Sequence, residues 1–121
     1  MATPNLVNVT TVTPFTIAGA VTAAGADVID VPADKAYKIN SIIIANVDGT
    51  NAQTVTATVS VDNGANYYAI ASTVSVPADA TIVLINKDSQ IYLDETDLLK
   101  LAAGADSDLE YIVSGEILDD A

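Results

Sequence analysis

The chain has no cysteine, no histidine, no tryptophan and no arginine. Without cysteine there is no thiol nucleophile, no thiolate metal site and no disulfide framework, and the redox compartment stays open. Without histidine the usual neutral-pH general base and the commonest transition-metal ligand are missing. A Ser-His-Asp triad cannot be built. Positive charge is also scarce. The only bases are Lys35, Lys38, Lys87 and Lys100, set against 16 acids, for a net charge of -12 over 121 residues. Such a chain repels a phosphate backbone and an anionic membrane surface, so neither nucleic acid nor membrane is an expected partner. No apolar run reaches the length of a membrane span. The start, Met1-Ala2-Thr3-Pro4-Asn5, lacks the charged and apolar regions of a signal peptide, so a soluble protein made without secretion is expected.

What is present is aliphatic and β-branched. Hydrophobic residues make up 50% of the sequence, mostly Ala, Val and Ile, which is enough to build a core in one domain. Turn signals recur about every ten residues, the spacing of a sandwich or small barrel. Thr54 to Val61 alternates strictly, with Val55, Ala57, Val59 and Val61 on one face and Thr54, Thr56, Thr58 and Ser60 on the other. That period means one buried and one wet face. Asp62-Asn63-Gly64 predicts a tight hairpin turn, with Tyr68, Ile70, Val74 and Val76 returning on the core side. Further strands are expected over Asp27–Val31, Ala36–Asn46, Thr81–Ile85, Ile91–Leu93, Leu98–Ala102 and Leu109–Ile117, with room for a short helical turn near Asp94. The fold expected is all-β, an antiparallel, jelly-roll-like β-sandwich of about eight to ten short strands. Residues 1–25 read as an N-terminal strand or arm, with hints of strand at Val7–Val9 and Phe15–Ile17 and a loop over Gly19–Gly25. Residues 26–118 read as the sandwich and 119–121 as an acidic tail. Val31-Pro32-Ala33-Asp34 and Val76-Pro77-Ala78-Asp79 echo each other, either as a duplicated half or as one turn solution used twice, and the poor match of their flanks favours the second.

Candidates for chemistry are few. No phosphate-binding glycine loop is present. Carboxylates are plentiful, but a glycosidase also wants aromatic platforms, and aromatics are 5% of the chain. Asp94-Glu95-Thr96-Asp97, Asp106-Ser107-Asp108 and Asp48-Gly49-Thr50-Asn51 offer hard oxygen ligands, yet none has the spacing of a calcium-binding EF-hand loop, and solvated turns account for them. Asn8-Val9-Thr10 matches a glycosylation sequon by chance. No catalytic residue, metal or cofactor is expected, and the chain is not expected to be an enzyme. Tyr67, Tyr68 and Tyr92 would be the contacts of an alternative carbohydrate- or receptor-binding sandwich.

The sharper feature is apolar residues on faces that should be wet. In Ala36–Asn46, Tyr37, Ile39, Ile43 and Ala45 fall on one face, interrupted by Ser41; Lys38, Asn40, Ile42, Ile44 and Asn46 fall on the other. Ile42 and Ile44 therefore sit in the middle of a polar face, as Ile112 does between Glu110 and Ser114. In Thr81–Ile85 both faces are apolar. Strands apolar on both sides are covered on both sides, by the chain itself or by another subunit. Ile42, Ile44 and Ile112 are the predicted centre of a protein interface.

The segments Ala36-Tyr37-Lys38-Ile39-Asn40-Ser41-Ile42-Ile43-Ile44-Ala45-Asn46-Val47-Asp48-Gly49-Thr50, Val76-Pro77-Ala78-Asp79-Ala80-Thr81, Lys87-Asp88-Ser89-Gln90-Ile91-Tyr92-Leu93 and Leu109-Glu110-Tyr111-Ile112-Val113-Ser114 carry a resemblance over roughly residues 27–117. In these the chain resembles small β-sandwich virion proteins of tailed bacteriophages, including marine and cyanobacterial phages. It departs from them at Thr96-Asp97, where the group reads Gly-Asp, and at Lys100, where an arginine often stands. The resemblance implies a structural virion component, assembled in the host cytoplasm. Within that class it favours a capsid decoration or cement protein that contacts the major capsid protein, working as a homo-oligomer with a trimer favoured. A neck, tail or fibre-associated protein is the close competitor.

Overall fold

A computed structural model describes residues 10–119. They form nine strands: β1 (Thr11–Val21), β2 (Ala26–Asp30), β3 (Lys35–Asn46), β4 (Gln53–Ser60), β5 (Tyr68–Val76), β6 (Thr81–Ile85), β7 (Ile91–Leu93), β8 (Leu98–Ala103) and β9 (Leu109–Asp119). No helix occurs among the described residues, and the stretch near Asp94 is a turn leading into β8. One sheet has the order β1-β9-β3-β6, with β7 also on the free side of β3; the other has the order β2-β8-β4-β5. All pairings are antiparallel. The first strand pairs with the ninth, the second with the eighth, the third with the sixth and seventh, and the fourth with the fifth. This nesting is one long hairpin folded over itself into two antiparallel sheets, the expected β-sandwich.

The core lies between the sheets. Ile39, Ile42 and Ile44 of β3, Val113 of β9 and Val21 of β1 meet Val55 and Ala57 of β4, Leu99 and Leu101 of β8 and Ile29 of β2. Each such aliphatic side chain removed from water contributes about 1.5–3 kcal/mol. Phe15 and Tyr37 close one side of this layer with tilted rings 5.3 Å apart.

The strand that breaks the alternation expected of it is β3. Ile39 stands opposite Gly115 and Ser41 opposite Ser114, so Asn40 is an extra residue in the ladder. A bulge of this kind shifts the facing of every later residue by one. Tyr37 and Ile39 face inward before it; Ile42, Ile44 and Asn46 face inward after it. Ile42 and Ile44 are fully buried in the core, which corrects their placement at an interface. Ile43 and Ala45 go to the outer face instead. The glycine at 115 makes the bulge possible: a methyl group there would land on the Lys38 carbonyl oxygen, well inside van der Waals contact.

Bulges account for two other departures. Between Ile42 and Ile43 the register with β6 slips, so Ile82 and Ile85 both face inward while Val83 points out. Two irregularities in the β4–β5 ladder put Ala71, opposite Ala57, on the buried face; Tyr68 and Val74 stand opposite Val59 and Val55 yet are exposed on this edge strand, and Val76 is buried as expected. The turn after β4 is a seven-residue loop over 61–67, not a two-residue hairpin, and Val61 is exposed in it. Asn63 and Gly64 nevertheless take the positive φ angles that this pair favours.

Residues 11–21 pair with β9 along their whole length, so Gly19, Ala20 and Val21 are strand and the loop that follows is short. Val7 and Val9 lie outside the described residues. At the other terminus Asp119 belongs to β9 and forms an ion pair with Lys35 at 2.5 Å. The two Val-Pro-Ala-Asp segments are equivalent corners. Each carries the chain from the β2 sheet to the β1 sheet, and Asp34 and Asp79 each take a left-handed φ, near 60° (62° and 56°). They sit at opposite ends of the sandwich, and each is braced by a buried polar side chain. Glu95 accepts the Asp34 N–H at 2.9 Å, and Asn46 donates to the Val76 carbonyl at 2.9 Å.

Candidate functional site

The outer face of the β1 sheet is where the predicted interface can be tested residue by residue. Side chains directly opposite one another in a ladder share a face. Ala18 pairs with Ile112, Ile112 with Ile43, and Ile43 with Val83. These four form one apolar rung that crosses β1, β9, β3 and β6. Ile112 is 45% exposed and Val83 54%. The next rung toward the end of the sandwich is Ala20, Glu110, Ala45 and Thr81. The small residues leave an open depression of about 390 Å³ in front of Ala18, Ala20, Ala45, Ile43 and Ile112.

Of the three predicted interface residues, only Ile112 lies here. Ile43 takes the place assigned to Ile42 and Ile44, while Ala18 and Val83 were not foreseen as its neighbours. The consecutive polar pair Asn40-Ser41, set in a run of isoleucines, is the sequence signal that would have placed them correctly. Charge on this face is nearly cancelled. Lys38 lies 4.0 Å from Glu116, and Ser41 and Ser114 share a hydrogen bond at 2.9 Å. Glu110 stands between Ala20 and Ala45, with no cation across the ladder from it.

Acidic groups gather at the two ends. Asp48, Asp79, Asp106 and Asp108 flank the β3–β4, β5–β6 and β8–β9 connections; Asp34, Asp94, Glu95 and Asp97 flank the β2–β3 and β7–β8 connections. Most serve as turn braces. Asp48 accepts the Thr50 and Asn51 N–H groups, which hold its carboxyl below the usual carboxylate range. Asp62 is lowered in the same way, chiefly by the Asn66 side chain. Asp106 accepts the Ala23 N–H, and Asp108 accepts from Gln53. Asp97 is shifted upward by burial. Among the described residues no three metal-ligating side chains converge.

The tyrosines do not share a platform. Tyr67 donates to Asp27 at 3.0 Å beneath the Lys100 ammonium, and burial and that carboxylate push its phenol up. Tyr68 opens β5 in one sheet, while Tyr92 projects from β7 in the other. A sugar ring cannot rest on both.

No family model matches the chain, and no curated protein matches it. Solved structures similar to the chain include the following two. A pentameric capsid protein from metagenomic phage sequences has 15% identity over 87% of this chain, with a TM-score of 0.44; the chain spans 62% of its length. The NLP core of Drosophila, whose structure concerns pentamer formation and histone binding, has 12% identity over 90% of this chain and 100% of its own, with a TM-score of 0.50. At that identity the likeness to the Drosophila protein is one of fold, a shared antiparallel two-sheet sandwich.

Proposed function

We propose that this chain is a structural protein of a phage virion: a decoration or cement protein of the head that acts in several copies through protein contacts and performs no catalysis. The observation that carries the reading is the exposed apolar rung of Ala18, Ile112, Ile43 and Val83. A strongly acidic domain that worked alone would gain solubility by making this face polar, and a contiguous apolar patch marks an interface. The resemblance over residues 27–117 supports the virion setting, with the major capsid protein as the partner on the shell. The sandwich fold is also used by the Drosophila protein, whose structure concerns pentamer formation, which supports a homo-oligomer. A trimer is the number the resemblance favours.

The test is incorporation. Purified protein is mixed with phage heads that lack it, and the heads are sedimented and imaged. Saturable binding over the shell, with heads that resist heating better, is expected. Density at the neck or tail alone, or no binding, would remove the decoration role.

A further inference from the structure

We propose that the outer face of the β1 sheet pairs with the same face of a second copy, about a two-fold axis that runs parallel to the strands. This deepens the homo-oligomer part of the reading above and rests on it, puts a two-fold pair in place of the trimer that the resemblance favours, and commits to one occupant for the apolar rung. The rung is graded from small to large. Ala18 lies at the β1 edge, Ile112 and Ile43 in the middle, and Val83 at the β6 edge. An axis along the strands between β9 and β3 reverses the order of strands in the facing sheet and keeps the rungs level. Val83 of one copy then lies over Ala18 of the other, and Ile112 over Ile43, each relation occurring twice. Large meets small at both edges, which is the self-complementarity an isologous contact requires. The depression before Ala18 and Ala20 is the socket for Val83.

Charge selects the occupant. Two copies that each carry -12 repel over most of their surfaces. They can approach at the face where Lys38 offsets Glu116 and, among the described residues of its ladders, Glu110 has no cation opposite it. A basic partner would choose the acidic ends instead, and face-to-face pairing leaves those ends free for the shell. Size sets the strength. Four strands about 4.8 Å apart and some nine residues deep offer roughly 600 Å² per copy. That gives about 1,200 Å² in all, at the lower edge of stable interfaces, so the dimer should dissociate on dilution.

The absence of cysteine permits a clean test. Ala18→Cys and Val83→Cys proteins are mixed and treated with a short bis-maleimide, because facing sheets stand about 10 Å apart, beyond the Cα separation of a disulfide. The mixed product should exceed both self-linked products, and light scattering should show a dimer that dilution dissolves. Val83→Asp should abolish the dimer with an unchanged circular dichroism spectrum, and Glu110→Gln should tighten it several-fold. A monomer at every concentration, or self-linked Val83→Cys as the main product, overturns the pairing. Shell binding is scored separately with the same proteins. A dimer that ignores heads refutes the virion role and keeps the pairing. A monomer that binds heads, and loses them on Ile112→Asp, refutes the pairing and keeps the virion role.

Discussion

Replacing Gly115 with alanine should cost more stability than any other single-methyl change in β9. The residue faces Ile39 across the ladder, beside the extra residue Asn40. Its added Cβ would meet the Lys38 carbonyl oxygen and come within 3.1 Å of the Phe15 ring. The ring can turn, but the carbonyl belongs to the central ladder of the sheet and cannot. To relieve the overlap β3 and β9 must part by roughly an ångström or more, lengthening hydrogen bonds on both sides of the bulge. Overpacking of this kind costs about 1–3 kcal/mol, and backbone against backbone belongs at or above the upper end. Against a total stability of about 5–15 kcal/mol that is a large loss. Urea unfolding followed by circular dichroism measures it. Gly49→Ala is the control, since its Cβ would approach only the mobile carboxylate of Asp79, at 3.3 Å, and should stay within about 0.5 kcal/mol of the parent. If Gly115→Ala unfolds at the parental midpoint, the bulge is not where the ladder places it, and the inward facing of Ile42 and Ile44 loses its cause.

Ile44→Ala should destabilise by about 2–5 kcal/mol, as expected for a cavity in a closed core, whereas Ile112→Ala should change the unfolding midpoint little and lower self-association instead; equal losses would contradict the separation of the two faces. Asn46→Ala removes a side chain that donates to the Asn51 and Val76 carbonyls and accepts the Asp48 N–H; leaving those groups without a partner should cost about 2–4 kcal/mol in denaturant unfolding. The carboxyls of Asp48 and Asp62 are lowered in the folded chain, so their stabilisation is complete above the unfolded pKa of 3.8 and fades as pH falls through the folded values. Asp97 has the opposite sign: raised by burial, it favours the fold fully below 3.8 and loses that contribution as pH rises through the folded value. Asp97→Asn should therefore melt higher than the parent at neutral pH, with the gap closing in acid; a gap that widens in acid would show the sign to be wrong.

The sandwich was legible because long stretches of this chain obey period-2 alternation without interruption. In β9, Leu109, Tyr111, Val113 and Ile117 face inward as the pattern predicts, and Val55 and Ala57 of β4 do the same. Facing was lost wherever a ladder gained a residue. A bulge changes neither composition nor apparent propensity, and its cause can lie on another strand, as Gly115 does for Asn40. One shifted residue was enough to exchange Ile42 and Ile44 for Ile43. The prediction that apolar side chains stand on the outer face was right in kind and wrong in two of its three residues. Val83 and Ala18 could not be read at all, because which strands lie beside Ile112 is a property of the topology.

The strand order also bears on when this molecule can form. β9 is the last of the nine described strands to leave the ribosome, yet it is interior to its sheet, clasped between β1 and β3. Until it arrives, β1 has no ladder partner and the first isoleucines of the core face water. Closure must wait for a segment about a hundred residues away, the kind of distant pairing that makes folding slow. A ribosome stalled before Leu109 would hold a chain whose β1 has no ladder partner and whose β3 is unpaired on one side, so the apolar core is most exposed while the chain is being made.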